Sequence, residues 1–391
     1  MQYVYADNNA TTRLAEEAFE EMRPLLQELY GNPSSLHFLG RAARENLNQA
    51  RERVARFLRV LAAEIIFTSG GTESNHLAIS GLLNARPDKR HVVTSEVEHL
   101  STRSFCEKLE KDGYEITRIG VDEDGRLDRN ELADSLREDT ALVTLMAANN
   151  ETGVTWPIRQ LGQLIRERDI PFHVDAAVAA HWAELDPDRD GIDAVSLSSH
   201  KCHGPKGIGA LYLRRGVRLS PMFYGGKQER GRRTGTENAP GIAGMGKALD
   251  VADARRDEDT RNVKELRDRF EEELLDRVTE CVRNGTADER LPNTSNLSFA
   301  YIEGEAILLS LSKIAICASS GSACSTNTVE PSYVLRAMGK PDSLAHGAIR
   351  FSFSRYTTGE EIDYLIENVP PVIEELRELS PYWQKQKLKS R

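Results

Sequence analysis

No apolar run in this chain of 391 residues approaches the eighteen or so that a helix needs to cross a bilayer. Polar Asp7-Asn8-Asn9 follow Met1 almost at once, so no secretory signal is expected. Cysteine is scarce and scattered. The five residues, Cys106, Cys202, Cys281, Cys317 and Cys324, form no Cys-x-x-Cys pair. That argues against a disulfide framework or a zinc site and fits a reducing cytoplasm with at most one reactive thiol. Nine histidines show no ligand spacing either, so no metal is expected. Basic excess is also missing: a net charge of −10 argues against general nucleic-acid binding and against an anionic membrane surface. Internal repeats and low-complexity linkers are absent.

What remains is an ordinary globular composition, 39% hydrophobic and 29% charged, in a length that suits two domains. Residues 15–30 carry Phe19, Met22, Leu26 and Leu29 at helical spacing, and 41–58 read as a second helix. Strand-like 64–68 runs into Ser69-Gly70-Gly71-Thr72 and then a helical stretch, 75–83. A strand, a glycine turn and a helix start together expose backbone N–H groups that suit a phosphate, although many such turns bind nothing. Further strands are expected at 91–95, 142–146 and 171–174, with His99, Asn150 and Asp175 at their exits. Strands alternating with helices predict βαβ units and a mostly parallel sheet, whose ligands gather outside the carboxyl ends of the strands. Residues 243–283 read as largely helical, 295–299 and 314–317 as strands of a second, smaller sheet. A last helix from about Glu360 is expected to stop at Pro370-Pro371.

The chain is organised around residues 192–213, IDAVSLSSHKCHGPKGIGALYL. A buried strand, 194–197, ends in Ser198-Ser199-His200-Lys201. Desolvation at that exit would lower the lysine's pKa and offer a free amine to a carbonyl. Taken alone, Ser-His-Lys fits a surface lysine in a hairpin better than a functional one. The other strand exits decide between the two. Gly71, Thr72, Ser198, His200 and Thr236 offer phosphate donors, Asp175 a partner for a protonated ring nitrogen, His99 a flat ring to stack, and Lys201 an amine. One ligand that meets all of these demands is pyridoxal 5'-phosphate.

These residues lie in stretches that closely resemble the NifS/IscS family of cysteine desulfurases: YADNNATT, YGNPSSLH, FTSGGTESNHLAI, NNETG, HVDA, SSHKCHGPKGIGALY, GGKQERGRRTGTEN, SSGSACSTNTVEPSYVL and AHGAIRFSFSRYTT. The resemblance implies an α/β protein of the pyridoxal-phosphate fold type I. It implies a large domain (14–250) built on a mostly parallel sheet of the seven-stranded type between helices. A smaller α+β domain (1–13 and 251–391) would carry a mobile loop at about 318–330. Lys201 then matches the Schiff-base lysine, Asp175 the pyridine partner and His99 the stacking ring, which also helps to move protons. Gly71, Thr72, Ser198 and His200 match phosphate ligands, and Thr236 matches the one given by a neighbouring subunit. Asn150 matches a residue beside the phenolic oxygen, and Asn8 and Arg355 match substrate ligands, the arginine pairing with the carboxylate. Cys324 corresponds to the sulfur-carrying cysteine.

The implied reaction takes L-cysteine to L-alanine, with the sulfur left as a persulfide on Cys324. The implied assembly is a cytoplasmic homodimer. It would serve a sulfur acceptor: an iron–sulfur scaffold, a tRNA-thiolating enzyme or a DNA phosphorothioation enzyme. Alternatives within the resemblance are a selenocysteine lyase, another lyase or aminotransferase of the fold, or a weakly active partner in a sulfur-transfer complex. One departure matters. Val178 stands where the family usually has a glutamine that hydrogen-bonds the cofactor's phenolic oxygen. Lys227 in place of a common histidine and Ser199 in place of a common glycine are milder changes.

Overall fold

In the computed structural model, which describes residues 3–320 and 331–389, the apolar runs become strands and the amphipathic ones helices. The strands are β1 (Val4–Tyr5), β2 (Ile65–Thr68), β3 (His91–Ser95), β4 (Glu115–Ile119), β5 (Thr140–Met146), β6 (Phe172–Asp175), β7 (Ala194–Ser198), β8 (Gly209–Leu213), β9 (Cys281–Arg283), β10 (Thr294–Phe299), β11 (Ile316–Cys317) and β12 (Ala348–Ser352). Seven of them form one sheet in the order β2-β8-β7-β6-β5-β3-β4. Only β8 runs antiparallel to its neighbours. Every residue of β5, β6 and β7 is buried. That is why these strands read as continuous apolar runs: helices cover both faces, so nothing selects alternation.

Register then places the functional ends together. Met146 pairs with Asp175, Asp175 with Ser196, and Ser198 with Gly209. The exits of β5, β6 and β7 therefore share one rim of the sheet. Helices α2 (Phe38–Phe57), α3 (Gly71–Asn84) and α4 (Leu100–Lys111) pack around this sheet, and α1 (Glu16–Gln27) packs on the long helix that follows it.

A helix of 39 residues, Ala239–Arg277, runs from one core to the other. Its start is capped by Asn238, whose side chain accepts from the Gly241 N–H at 3.1 Å. Small residues in its first half permit close approach: a Cβ on Gly246 would lie 2.9 Å from the Ala50 Cα, and one on Gly244 2.6 Å from the Met22 sulfur. Val263, Phe270 and Leu274 in its second half join another apolar cluster, where Phe270 meets Phe351 and Phe353 with ring centroids 4.8 and 5.4 Å apart.

Several expectations need correction. Residues 314–317 do not join the small antiparallel sheet, which has the order β12-β10-β9; β11 instead pairs with β1 in a parallel two-stranded ribbon. The helical stretch ends at Arg277, and its last expected residues form β9. The helix expected to be the last, Gly359–Leu379, runs on through Pro370-Pro371, and another, Pro381–Lys389, follows it. Each proline removes a helical hydrogen bond, but Leu365, Ile366, Val369 and Ile373 stay buried on one face, and that packing holds the helix together. In α1, Ala18 and Leu25 are buried while Phe19 and Leu26 are exposed.

Candidate active site

The rim formed by β3, β5, β6 and β7 gathers the residues expected there. The Asp175 carboxylate ends β6 and is held on both oxygens, by the Asn75 Nδ2 at 2.7 Å and the Ala177 N–H at 2.9 Å. Asn75 gives its second N–H to the Ser101 Oγ at 2.9 Å, and that oxygen lies 2.8 Å from the His99 Nδ1. The chain His99–Ser101–Asn75–Asp175 is continuous. His99 also caps α4, its Nδ1 accepting from the Ser101 N–H at 3.1 Å. In the neutral ring the proton must therefore sit on Nε2. Burial lowers the ring's pKa, the Lys201 charge adds to that, and Asp175 opposes both.

Beneath this chain lies Glu98. Its Oε1 accepts from the Ser95 hydroxyl at 2.7 Å and the Met146 N–H at 3.0 Å. Full burial pushes its pKa up to about 8; those two bonds oppose the rise and Asp175 adds to it. At neutral pH Glu98 is mainly the uncharged acid.

On the other side, α3 starts at Gly71 with no side chain capping its first turn, so its leading N–H groups are presented outward. A Cβ on Gly71 would lie 3.3 Å from that of Ser198, and this places the turn beside the end of β7. Gly70 precedes it at φ 154°, a conformation that favours glycine. Thr72 is exposed at the same turn. His200 lies 3.1 Å from the Thr11 hydroxyl, and burial, with Lys201 and Lys206 nearby, lowers its pKa to about 4. Thr236 is exposed and lines a cleft of about 120 Å³ with Ser69 and Gly207.

Lys201 follows directly. Its ammonium donates to the Asn9 carbonyl and, at 2.8 Å, to that of Ala10. The same loop is stitched down by Thr12, whose N–H and hydroxyl both donate to the His200 carbonyl at 2.9 Å. Lys201 shares a cavity of about 10 Å³, room for about one water, with Asn8, Val178, Trp182, His203 and Phe353. Asn8 is buried and donates to the Ser352 carbonyl at 2.8 Å.

Arg355 lies at the edge of the small sheet, its Nη2 donating to the Tyr356 hydroxyl at 2.9 Å. Asn150 follows β5; its carbonyl accepts from the Arg350 Nη1 at 2.9 Å, and its Oδ1 is buried with no hydrogen-bond partner among the described residues. Cys324 lies outside the described residues. Sequence reasoning missed Asn75, Ser101, Glu98 and Arg350 as members of the site. The one local signal was the polar Asn75 shortly before the apolar run Leu77-Ala78-Ile79 of that helix.

The aminotransferase class-V family matches residues 4–365 of this chain. A cysteine desulfurase of Trichormus azollae is 50% identical over 382 residues, covering 98% of this chain and 96% of its own length. The cysteine desulfurase NifS of Azotobacter vinelandii is 48% identical over 384 residues, covering 98% and 96%. Among solved structures, a NifS-like protein matches with a TM-score of 0.90 at 35% identity, covering 96% of this chain and all (100%) of that one. The cofactor is pyridoxal 5'-phosphate. The donor set fits it, with outward N–H groups and hydroxyls at one end of the rim and a doubly held carboxylate at the other. Fold, rim chemistry and a match along nearly the whole length converge: the chain belongs to the class-V aminotransferase family, within its cysteine desulfurases.

Proposed function

We propose that this protein removes the sulfur from L-cysteine, releases L-alanine and carries the sulfur as a persulfide on Cys324 to an acceptor protein. The observation that carries the reading is the unbroken hydrogen-bond chain from His99 through Ser101 and Asn75 to Asp175, on the rim that also presents Lys201. When bound, the cofactor supplies an electron sink for the pair left behind when a substrate Cα proton is removed.

The protein's own residues do the rest. Ser198, His200, Thr72 and the first turn of α3 at Gly71 hold the phosphate. His200 is neutral near pH 7, so it serves as a hydrogen-bonding group rather than a counter-charge. Asp175 keeps a proton at the ring nitrogen, and Asn75 keeps Asp175 in place. His99 stacks on the ring, with its proton on Nε2. Asn150 would donate its side-chain N–H to the phenolic oxygen. Lys201 would hold the cofactor through its amine, and the same amine is placed to take the Cα proton of the substrate. Asn8 and Arg355 hold the substrate, the arginine through the carboxylate.

The Cys324 thiolate then attacks the substrate sulfur. A sulfur–sulfur bond forms, the carbon–sulfur bond breaks, and the electron pair returns to the substrate carbon, which takes up a proton. The balance is L-cysteine plus enzyme thiol giving L-alanine plus enzyme persulfide.

The assembly we propose is a cytoplasmic homodimer in which Thr236 reaches the neighbouring subunit's phosphate. It is supported by apolar side chains left open on a single chain: Tyr30, Leu36, Phe38 and Tyr224 are 71, 81, 71 and 85% exposed. No helix of the described residues is long and apolar enough to cross a membrane. The domain division proposed is 14–250 against 1–13 with 251–391. It is supported by the two apolar clusters that meet along Ala239–Arg277.

The test is the stoichiometry of the holoenzyme with L-cysteine: one alanine per sulfur released, and a persulfide on Cys324 in the absence of reductant. Cys324→Ser should keep the cofactor and still bind cysteine, yet yield neither persulfide nor sulfide. Undiminished sulfide from that variant would move the role to another thiol. Borohydride reduction should fix the cofactor on Lys201; an adduct on Lys206 would overturn that assignment.

A further inference from the structure

Behind the Lys201 cavity lies a second polar cluster that the reaction above leaves unused. His181 is fully buried, in edge contact with Trp182 (ring centroids 4.3 Å apart) and with His203 (5.5 Å). His203 in turn meets the Tyr356 ring at 5.0 Å, and the Arg355 guanidinium lies over that same ring at 4.9 Å. On the far side, the His181 Nε2 faces the Asp259 Oδ2 at 3.9 Å, and Asp259 is only 2% exposed. Asp259 takes a single hydrogen bond, from the Arg255 Nε to its Oδ1 at 3.3 Å.

Both ring nitrogens of His181, the Asp259 Oδ2, the Arg355 Nη1 and the Arg256 Nε are buried and have no hydrogen-bond partner among the described residues. Buried polar atoms without partners are rare, and several together call for an explanation. The gap of 3.9 Å is too wide for a direct bond and suits a bridging water. The charges also sense one another. His181 is held neutral by burial first, then by His203, Arg355 and Arg256. Burial raises the pKa of Asp259, and Arg255 and Arg355 pull it back down. Both groups thus sense the Arg355 charge, and the geometric link to His181 runs from Arg355 through the Tyr356 and His203 rings.

We propose that His181 and Asp259 are positioning residues for the substrate carboxylate: joined through ordered water, they back Arg355 from inside and fix the face it presents to the pocket. The inference rests on Arg355 being the carboxylate ligand. Trp182 and His203 line both the Lys201 cavity and this cluster, so a backing contact made outside the pocket still shapes it.

The test measures binding of L-alanine to the holoenzyme from the change in cofactor absorbance, with ethylamine as the probe that lacks a carboxylate. Arg355→Ala should weaken L-alanine about tenfold or more, the scale of a hydrogen bond to a charged group, and leave ethylamine unchanged. Asp259→Asn and His181→Phe should each weaken L-alanine about three- to tenfold with ethylamine again unchanged, as expected for loss of one supporting hydrogen bond. His181→Gln, which keeps a hydrogen-bonding amide, should recover most of the loss. In an Arg355→Ala background, Asp259→Asn should cost nothing further.

Three results would overturn the proposal: wild-type alanine binding in Asp259→Asn, equal losses for ethylamine, or losses that add to that of Arg355→Ala. If Arg355→Ala itself binds alanine like the wild type, the carboxylate assignment falls and takes this proposal with it. Asp259→Asn is isosteric, so it decides the matter even if His181→Phe fails to fold.

Discussion

The two sides of the pocket are built on opposite terms. On the Asp175 side, donors and acceptors meet at 2.7–2.9 Å in a chain that crosses α3, α4 and β6. On the His181 side, both ring nitrogens of His181, the Asp259 Oδ2 and the Arg355 Nη1 are equally buried but meet no hydrogen-bond partner among the described residues. A preformed chain suits a charge that stays in place, because no reorganisation is needed once the ring nitrogen is bound. A loosely partnered wall suits a substrate that enters and leaves, because water and side chains can exchange places there. With the roles proposed above, the contrast falls between the groups assigned to the cofactor and those assigned to the substrate.

The strongest way to break the preformed side is Asp175→Ala. It removes the ring-nitrogen partner, and turnover of L-cysteine is expected to fall about 10²–10⁴-fold, the range for losing a proton-holding group. Circular dichroism should stay native. Asn75→Leu is subtler, leaving the carboxylate but removing one of its two donors and the link to Ser101. Activity is expected to drop about ten- to a hundredfold, the worth of a hydrogen bond to a charged group. Steady-state kinetics on cofactor-replete protein would measure it, and an unchanged rate would mean that Ala177 alone suffices.

Glu98→Gln sharpens the comparison from below. The folded pKa of Glu98, about 8, lies above the unfolded value of 4.5. The stability it contributes is therefore complete below about pH 4.5 and is lost as pH rises toward 8. The amide cannot ionise, so the variant should nearly match the wild type near pH 4.5 and exceed it by about 4 kcal/mol near pH 7.5. Holoenzyme unfolding across that range would show whether the slope flattens.

The smallest effect is expected at Val178, where the two sides meet. Its cavity with Lys201, about 10 Å³, has room for about one water, and a water there would replace part of what a glutamine would donate. Val178→Gln should slow cofactor loss slightly and lower the pKa of the visible absorption band by no more than about one unit, the low end for a hydrogen bond to a charged group. Identical titrations and loss rates would show that the missing contact has been replaced in full.

Much of this molecule was legible from local pattern. The strand exits at Asp175 and Ser198, the glycine turn before α3 and the lysine after β7 are each set by a few adjacent residues. Apolar runs, φ-permissive glycines and polar strand ends act within one turn or strand. The resemblance to cysteine desulfurases, carried by short motifs in order, did the rest for function.

Other features depended on distance. Asn75 reaches Asp175 across 100 residues of chain, Asn9 reaches Asn293 across 284, and β11 pairs with β1 rather than joining the small sheet. The prolines in Gly359–Leu379 read as a stop, yet the buried face of that helix carried it through. His181 and Asp259 offered no motif at all; only packing of Ala239–Arg277 against the segment after β6 brought them within 3.9 Å. Local propensity and turn chemistry are written residue by residue, so the sequence by itself determined the elements and their chemically active ends. Which buried polar groups share a partner is settled only when elements far apart in the chain exclude water from between them, and that the tertiary structure decided.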